Sequence, residues 1–291
     1  MLPKIKTSFW LMTLAVFTFL SACTNKQQDN NSAIKEKQST YDKVLETKTI
    51  RVGYIPYTTS FIKDPNTGNL SGIMHDVLME AGRSMEIKID FVEELDWSSM
   101  ITAIQSNKVD LVCTGLWPNS TRGKLVDFTT PIYYSPIKAY VRSGNTKFDG
   151  NLKAISSKEV KIAVMDGEMA SIIARFDFPD ATTSMAPQNV AISQLLLDVA
   201  SNKADITFVE PMVANEYMAN NPNKIKEVSN IAPLRVFPNV MMIPKGDVRF
   251  QSMLNTAFEE MVNTGLVSKI VDEYEKYPNS FYKRQLPYVV K

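Results

Sequence analysis

Two rhythms of apolar and polar residues alternate along the chain. Ile50-Arg51-Val52-Gly53-Tyr54 is a short apolar-rich run that predicts a strand. From Gly72 to about Arg83, Ile73, Val77, Leu78 and Ala81 recur on one helical face, with Ser71 as the expected cap. Residues 87–92 predict a second strand, a helix capped by Ser98 runs to Gln105, and Asp110–Thr114 is a third strand. Strand, helix, strand, helix, strand implies a parallel sheet covered on both faces. The pattern restarts after Gly150, with strands at 160–164 and 205–209. Helices are expected at 168–176, at 190–200, and at 211–219 with Pro211 in the permitted first turn.

Two longer extended runs, Ile137–Val141 and Val236–Ile243, lie between these halves, and helices 250–263 and 266–275 follow the second. They are expected to be crossings, the chain leaving a first lobe near residue 140 and returning near residue 238. The fold class is therefore expected to be α/β with two lobes. Each lobe would be a mixed, mostly parallel sheet with helices on both faces, joined by two hinge strands. Lobe 1 would comprise residues 46–139 plus 240–291, and lobe 2 residues 140–239. A cleft between such lobes is a favoured place for a small molecule.

The amino terminus is a different kind of sequence. Lys4 and Lys6 precede an apolar run from Phe9 to Leu20, which is short for a bilayer span, and Leu20-Ser21-Ala22-Cys23 follows. This order defines a secretory signal over residues 1–22. The Leu-Ser-Ala-Cys ending resembles a bacterial lipobox, which implies cleavage before Cys23 and lipid attachment to its sulfur; an uncleaved anchor is the alternative. Residues 23–45 are mainly polar and are expected to be a disordered tether. The body would then lie in the periplasm or at the cell surface, lipid-anchored to a membrane.

Charge and rare residues narrow the chemistry. Removing residues 1–22 takes the 32 basic residues to 30 against 31 acidic, a net charge of −1, which gives no electrostatic reason to expect nucleic acid. With Cys23 lipidated, Cys113 has no disulfide partner and is expected to be a buried apolar side chain. The single histidine, His75, excludes a multi-histidine metal site and argues against a serine–histidine triad. No glycine-rich phosphate motif occurs. No cofactor is expected, and the chain does not advertise an enzyme.

Ligands of open α/β sheets bind where strands end and helices begin. Four such places stand out. Thr114–Arg122 follows a strand; Gly115 would let backbone approach a ligand, and Arg122 offers a planar fork that matches a carboxylate. Glu210 ends a strand and precedes a helix, where it could accept from a ligand ammonium. Glu168 has the same placement after Asp166-Gly167. For both acids, attraction to a helix start is the ordinary explanation. Tyr57, Phe61 and Trp97 supply flat faces that could stack on a ligand, although such residues more often pack in a core.

In this order the motifs resemble the amino-acid-type, family 3 solute-binding proteins of ABC importers. Val52-Gly53, Phe61, Leu70-Ser71-Gly72 and Asp76 follow the family's opening strand, loop and helix. Trp97–Ile104 and Asn107-Lys108-Val109-Asp110 follow its next helix and strand. Arg122-Gly123-Lys124-Leu125-Val126-Asp127-Phe128-Thr129, with Pro131 and Tyr133-Tyr134, matches its most specific motif. Lys203-Ala204-Asp205 with Glu210, and Gly265-Leu266 with Ile270, match later ones. The resemblance implies a two-lobe type II periplasmic-binding fold, a monomer, and permease subunits of an ABC importer as membrane partners. It places a ligand carboxylate on Arg122 and on amides near Gly115, an ammonium on Glu210, and Trp97 against the ligand. Trp117 and Asn119 stand where the family commonly has Ser or Thr, so Trp117 would narrow the pocket. Glu168 replaces a threonine and adds a negative charge. The added acid and aromatics point toward a ligand with a cationic side group. Two other readings are a cyclohexadienyl-dehydratase-like enzyme on the same fold and a ligand-binding sensor lipoprotein.

Overall fold

The computed structural model describes residues 38–284. Residues 1–22, Cys23 and the first part of the expected tether lie outside the described residues. The remainder of that tether is corrected. Thr40–Thr47 is a helix (α1), started by Ser39, whose hydroxyl accepts from the Asp42 amide at 3.1 Å. Its composition is polar, but Val44 is fully buried and Lys43 reaches Asp110 at 2.8 Å. Val44, the partly buried Tyr41, and ion pairs from Lys43 to Asp110 and from Asp42 to Arg249 thus fasten a polar helix to the body.

Strand β1 (Thr49–Tyr54) is followed by the short pair β2 (Ile62–Lys63) and β3 (Leu70–Ser71), then α2 (Ile73–Ser84) and β4 (Lys88–Glu94). Next come α3 (Met100–Gln105), β5 (Leu111–Leu116), α4 (Ser120–Gly123) and β6 (Val126–Phe128). The long strand β7 (Tyr133–Arg142) leads to a 3₁₀ turn at Leu152–Ile155, β8 (Lys161–Met165), α5 (Met169–Asp177) and β9 (Thr182–Ala186). Helix α6 (Ser193–Ala200), β10 (Ile206–Val209), α7 (Pro211–Asn220), β11 (Ile225–Glu227) and a second long strand, β12 (Arg235–Pro244), follow. The described chain ends with α8 (Val248–Asn263), α9 (Leu266–Tyr274) and β13 (Tyr282–Lys283).

Apart from the separate pair β2–β3, the strands form one mixed sheet whose main path is β4-β1-β5-β12-β7-β10-β8-β9. Strands β1, β4 and β5 are parallel, as are β8, β9 and β10, while β12 and β7 run antiparallel to their neighbours. The two long strands pair with each other only from Tyr133↔Asn239 to Ile137↔Arg235. Beyond that stretch β12 joins β5 and β6, and β7 joins β10 and β11. Each long strand therefore belongs to both lobes, giving the α/β two-lobe class. Lobe 1 has a core on each sheet face, one under α2, α8 and α9 and the other under α3. Lobe 2 has its own core, from Ile137 to Val228.

Two expected helix caps are replaced by other devices. Gly72, not Ser71, precedes α2, with φ +115° and no side-chain cap. Backbone carbonyls of Thr59 and Ser60 accept from Ile73 and Met74 at 2.9 and 2.8 Å instead. A side chain at residue 72 would strike the Ser60 carbonyl oxygen at 2.7 Å, so glycine is required for this approach. At α3 the Asp96 carboxylate, not Ser98, collects the Ser98 and Ser99 amides at 3.0 and 2.8 Å. Both turns fix the loops that carry Tyr57 and Trp97. Cys113 is fully buried, and burial pushes its thiol well above the ordinary value. His75 packs edge-on to Phe61 and stacks on Phe91.

Candidate functional site

Strand β5 ends at Leu116, and the chain turns through Trp117-Pro118-Asn119 into α4. The Asn119 side chain accepts from the Arg122 amide at 2.8 Å and starts that turn of helix. This places the Arg122 guanidinium in the cleft, 6% exposed, with Nη1 donating to the Trp117 carbonyl at 3.2 Å. Asn119 therefore positions the arginine.

On the opposite lobe, β8 ends at Met165 and the turn needs Gly167 at φ +69° before α5. Glu168 occupies the cap position of α5 but makes no capping bond. Its carboxylate accepts instead from Arg122 Nη2 across the cleft. Both side chains are buried. Burial raises the Glu168 carboxyl above its ordinary range, and the Arg122 charge pulls it back only in part.

Glu210 follows the same logic. It precedes Pro211 at the start of α7 and makes no capping bond. Its carboxylate accepts from the Tyr57 hydroxyl of lobe 1. It is 3% exposed and has no ion-pair partner among the described residues. Burial pushes its pKa up to about 7, against the hydrogen bonds of Ser135 and Tyr57. Attraction to a helix dipole therefore does not account for either acid: each leaves its helix start for a partner across the cleft.

Aromatic side chains line the rest. Tyr57 and Trp97 meet edge-to-face at 5.6 Å, and Trp117 lies against Phe237 of β12 at 5.3 Å. All three lobe 1 aromatics pack on the core of lobe 2. Together with Gly115, Glu168, Ile192, Leu195 and Phe208, they line a cavity of about 20 Å³, while Trp97, Asn119 and Arg122 also line a larger groove of about 720 Å³ with Asp166, Gly167 and Arg175 of the other lobe. Phe61 is corrected: it is fully buried in the lobe 1 core, stacked on Tyr54 at 4.9 Å, and does not line this cavity. The turn between Tyr57 and Phe61, closed by reciprocal backbone bonds of 2.8 and 2.9 Å, sends Phe61 inward and leaves Tyr57 facing the cleft.

The sequence reading missed the polar floor beneath. A Cβ on Gly115 would run into Ser60 Oγ and lie 2.8 Å from the Tyr133 hydroxyl and 2.9 Å from Asn239 Oδ1. Asn239 Nδ2 donates to Ser135 Oγ at 2.8 Å, linking the two long strands by side chains. The available signal was Asn239 itself, a polar residue inside the apolar run Val236–Ile243. A third contact across the cleft, Thr58 to Glu216, had no signal in the sequence.

The geometry is that of a cleft with a guanidinium on one lobe and acids on the other. Residues 50–277 match the model of the bacterial extracellular solute-binding proteins, family 3. A probable histidine-binding protein of Campylobacter jejuni is 26% identical over 226 residues, covering 77% of this chain and 80% of the relative. The arginine-binding extracellular protein ArtP of Bacillus subtilis is 27% identical over 180 residues, covering 62% and 68%. Among solved structures, the ancestral amino acid-binding protein AncCDT-1, a precursor of cyclohexadienyl dehydratase, superposes with a TM-score of 0.69 at 25% identity. That match covers 82% of this chain and all of the other.

Proposed function

The chain belongs to the bacterial extracellular solute-binding proteins, family 3, and from that membership we propose that it is the receptor of an ABC importer, closing its two lobes around an amino acid. Arg122 receives the ligand carboxylate in bidentate fashion, and Glu210 receives the ammonium. Tyr57, Trp97 and Trp117 shape the walls, and Gly115 lets the ligand approach the backbone of β5. The relatives named for histidine and arginine support an amino-acid ligand.

The observation that carries this reading is Glu210. A carboxylate removed from water is costly unless paired, and this one has hydroxyl partners but no cation among the described residues. A ligand ammonium supplies the missing charge. Cys23 is the proposed site of lipid attachment, which would hold the receptor outside the cytoplasm beside the permease.

A thermal-shift screen of amino acids tests the binding reading. Ligand at 100 times its dissociation constant adds about 2.7 kcal/mol to stability. A hit that vanishes in Arg122→Ala supports the assignment; a hit of unchanged affinity in that variant overturns it.

One observation favours a second reading. Two buried carboxyls, Glu168 and Glu210, share the cleft with raised proton affinity, as a proton-donating enzyme would need. Product formation from prephenate or arogenate would establish it, and no turnover of either removes it.

A further inference from the structure

Arg122 already holds a carboxylate. Glu168 lies on its guanidinium, and the two side chains are only 7% and 10% exposed. The cavity beside them, at about 20 Å³, has room for about one water and none for an amino acid. Arg122 also borders the larger groove of about 720 Å³, but a ligand carboxylate that takes the Nη2 face of its guanidinium does so by taking the place of Glu168.

The charge count after that exchange is informative. A zwitterionic ligand would match its carboxylate to Arg122 and its ammonium to Glu210. Glu168 would then lie inside the closed cleft with no cationic partner. Glu216, bonded to Thr58 at the mouth, adds a further acid from lobe 2. No lysine or arginine lines the small cavity or the 270 Å³ groove beside Tyr57 and Glu216, and in the larger groove Arg175 is the one arginine besides Arg122. An uncompensated buried charge is expensive, and an added positive charge on the ligand offsets it.

We propose that Glu168 sets the charge of the ligand: it is an internal carboxylate that the ligand must displace from Arg122, and once displaced it makes the cleft select cationic amino acids over neutral ones of the same shape. This rests on the reading in which Arg122 receives the ligand carboxylate. It assigns to Glu168 two effects that act together. The residue competes with every carboxylate ligand, and it penalises those that bring no extra positive charge. Acidic amino acids, whose side chain would add a fourth carboxylate to Glu168, Glu210 and the ligand's own, are excluded most strongly.

Calorimetric titration of the purified full chain tests this with two pairs of matched probes: arginine against citrulline, and lysine against norleucine. The wild-type protein is expected to prefer the charged member of at least one pair by about tenfold or more, a difference of about 1.4 kcal/mol. In Glu168→Gln, and in Glu168→Thr as a second variant, the neutral member is expected to bind about tenfold more tightly, so that the preference collapses. Equal wild-type affinities within both pairs would overturn the proposal while leaving the amino-acid receptor intact. So would a charge preference that survives both substitutions. Failure of wild type and both folded variants to bind any of the four probes would remove the receptor reading along with it.

Discussion

The Tyr57 hydroxyl, from lobe 1, donates to the Glu210 carboxylate of lobe 2. This bond and burial act in opposite directions on the acid, and burial prevails: the pKa stands at about 7. The bond is also a contact between lobes, so the protonation of one residue bears on both ligand capture and closure.

Ligand affinity is therefore expected to depend on pH. An ammonium binds the ionised form of Glu210, so affinity should fall up to tenfold for each unit below pH 7. Near pH 7 binding should release a proton, visible as different heats in buffers of different ionisation enthalpy. Glu210→Gln should bind weakly and without this pH dependence. A flat profile in the wild-type protein would remove Glu210 from the ammonium site.

Stability runs the other way. The folded carboxyl is raised above its ordinary 4.5, so it favours the packed form below that pH, and this contribution is lost as pH rises through about 7. Denaturation of wild type and Glu210→Gln from pH 4 to 8 should show the difference between them narrow and then change in favour of glutamine. Parallel curves would contradict the assignment.

Arg122→Ala should weaken ligand binding by about 2–5 kcal/mol, because the ligand carboxylate loses its charged partner. Its effect on unfolding should be smaller than the roughly 3–5 kcal/mol of a broken internal pair, since opening of the cleft returns Glu168 to water. Titration and chemical denaturation of the same preparation separate the two effects. A stability loss as large as the binding loss would mean that the cleft does not open.

Gly115→Ala should destabilise the protein by about 1–3 kcal/mol. The added methyl would meet Ser60 Oγ, the Tyr133 hydroxyl and Asn239 Oδ1 within 3 Å. Two of these are on the paired long strands, so closure should suffer as well as folding. A melting temperature equal to wild type would show that the floor yields.

Helix α1 should be needed for full stability. A protein beginning at Gln38 is expected to denature like the full body, whereas one beginning at Thr49 should lose at least the roughly 1.5–3 kcal/mol that burial of Val44 provides. Equal denaturation midpoints would restore the tether reading for these residues.

The α/β class was legible because the apolar runs of β1, β5, β8 and β10 and the striped faces of α2, α6 and α8 are strong periodic signals. Strand β9 was not: Thr182-Thr183-Ser184-Met185-Ala186 is an edge strand, largely exposed, with no alternation to detect. Helix α1 was hidden in polar composition because its one fully buried side chain is a valine. At the site, Arg122 and Glu210 were visible as charged residues at strand–helix junctions, although a helix start was an ordinary explanation for the acid. Phe61 misled because a core aromatic and a wall aromatic look alike until the turn that aims them is known. The pairing of Glu168 with Arg122 was invisible, since it joins residues 46 apart through the meeting of two lobes.

The pairing of β7 with β12 over Tyr133–Ile137 constrains how the molecule can move. Two connections bonded edge to edge behave as a ribbon, which bends and twists far more readily than it shears. Strand β13 adds a third edge by pairing with Tyr133 and Tyr134, and the Asn239–Ser135 bond ties the two strands together from one end of the ribbon. The lobes should consequently part like the covers of a book on a stiff spine, in a nearly one-dimensional motion. A single label pair at the cleft mouth, across Thr58 and Glu216, would then report the whole movement, and a permease that grips both covers could read occupancy from one angle.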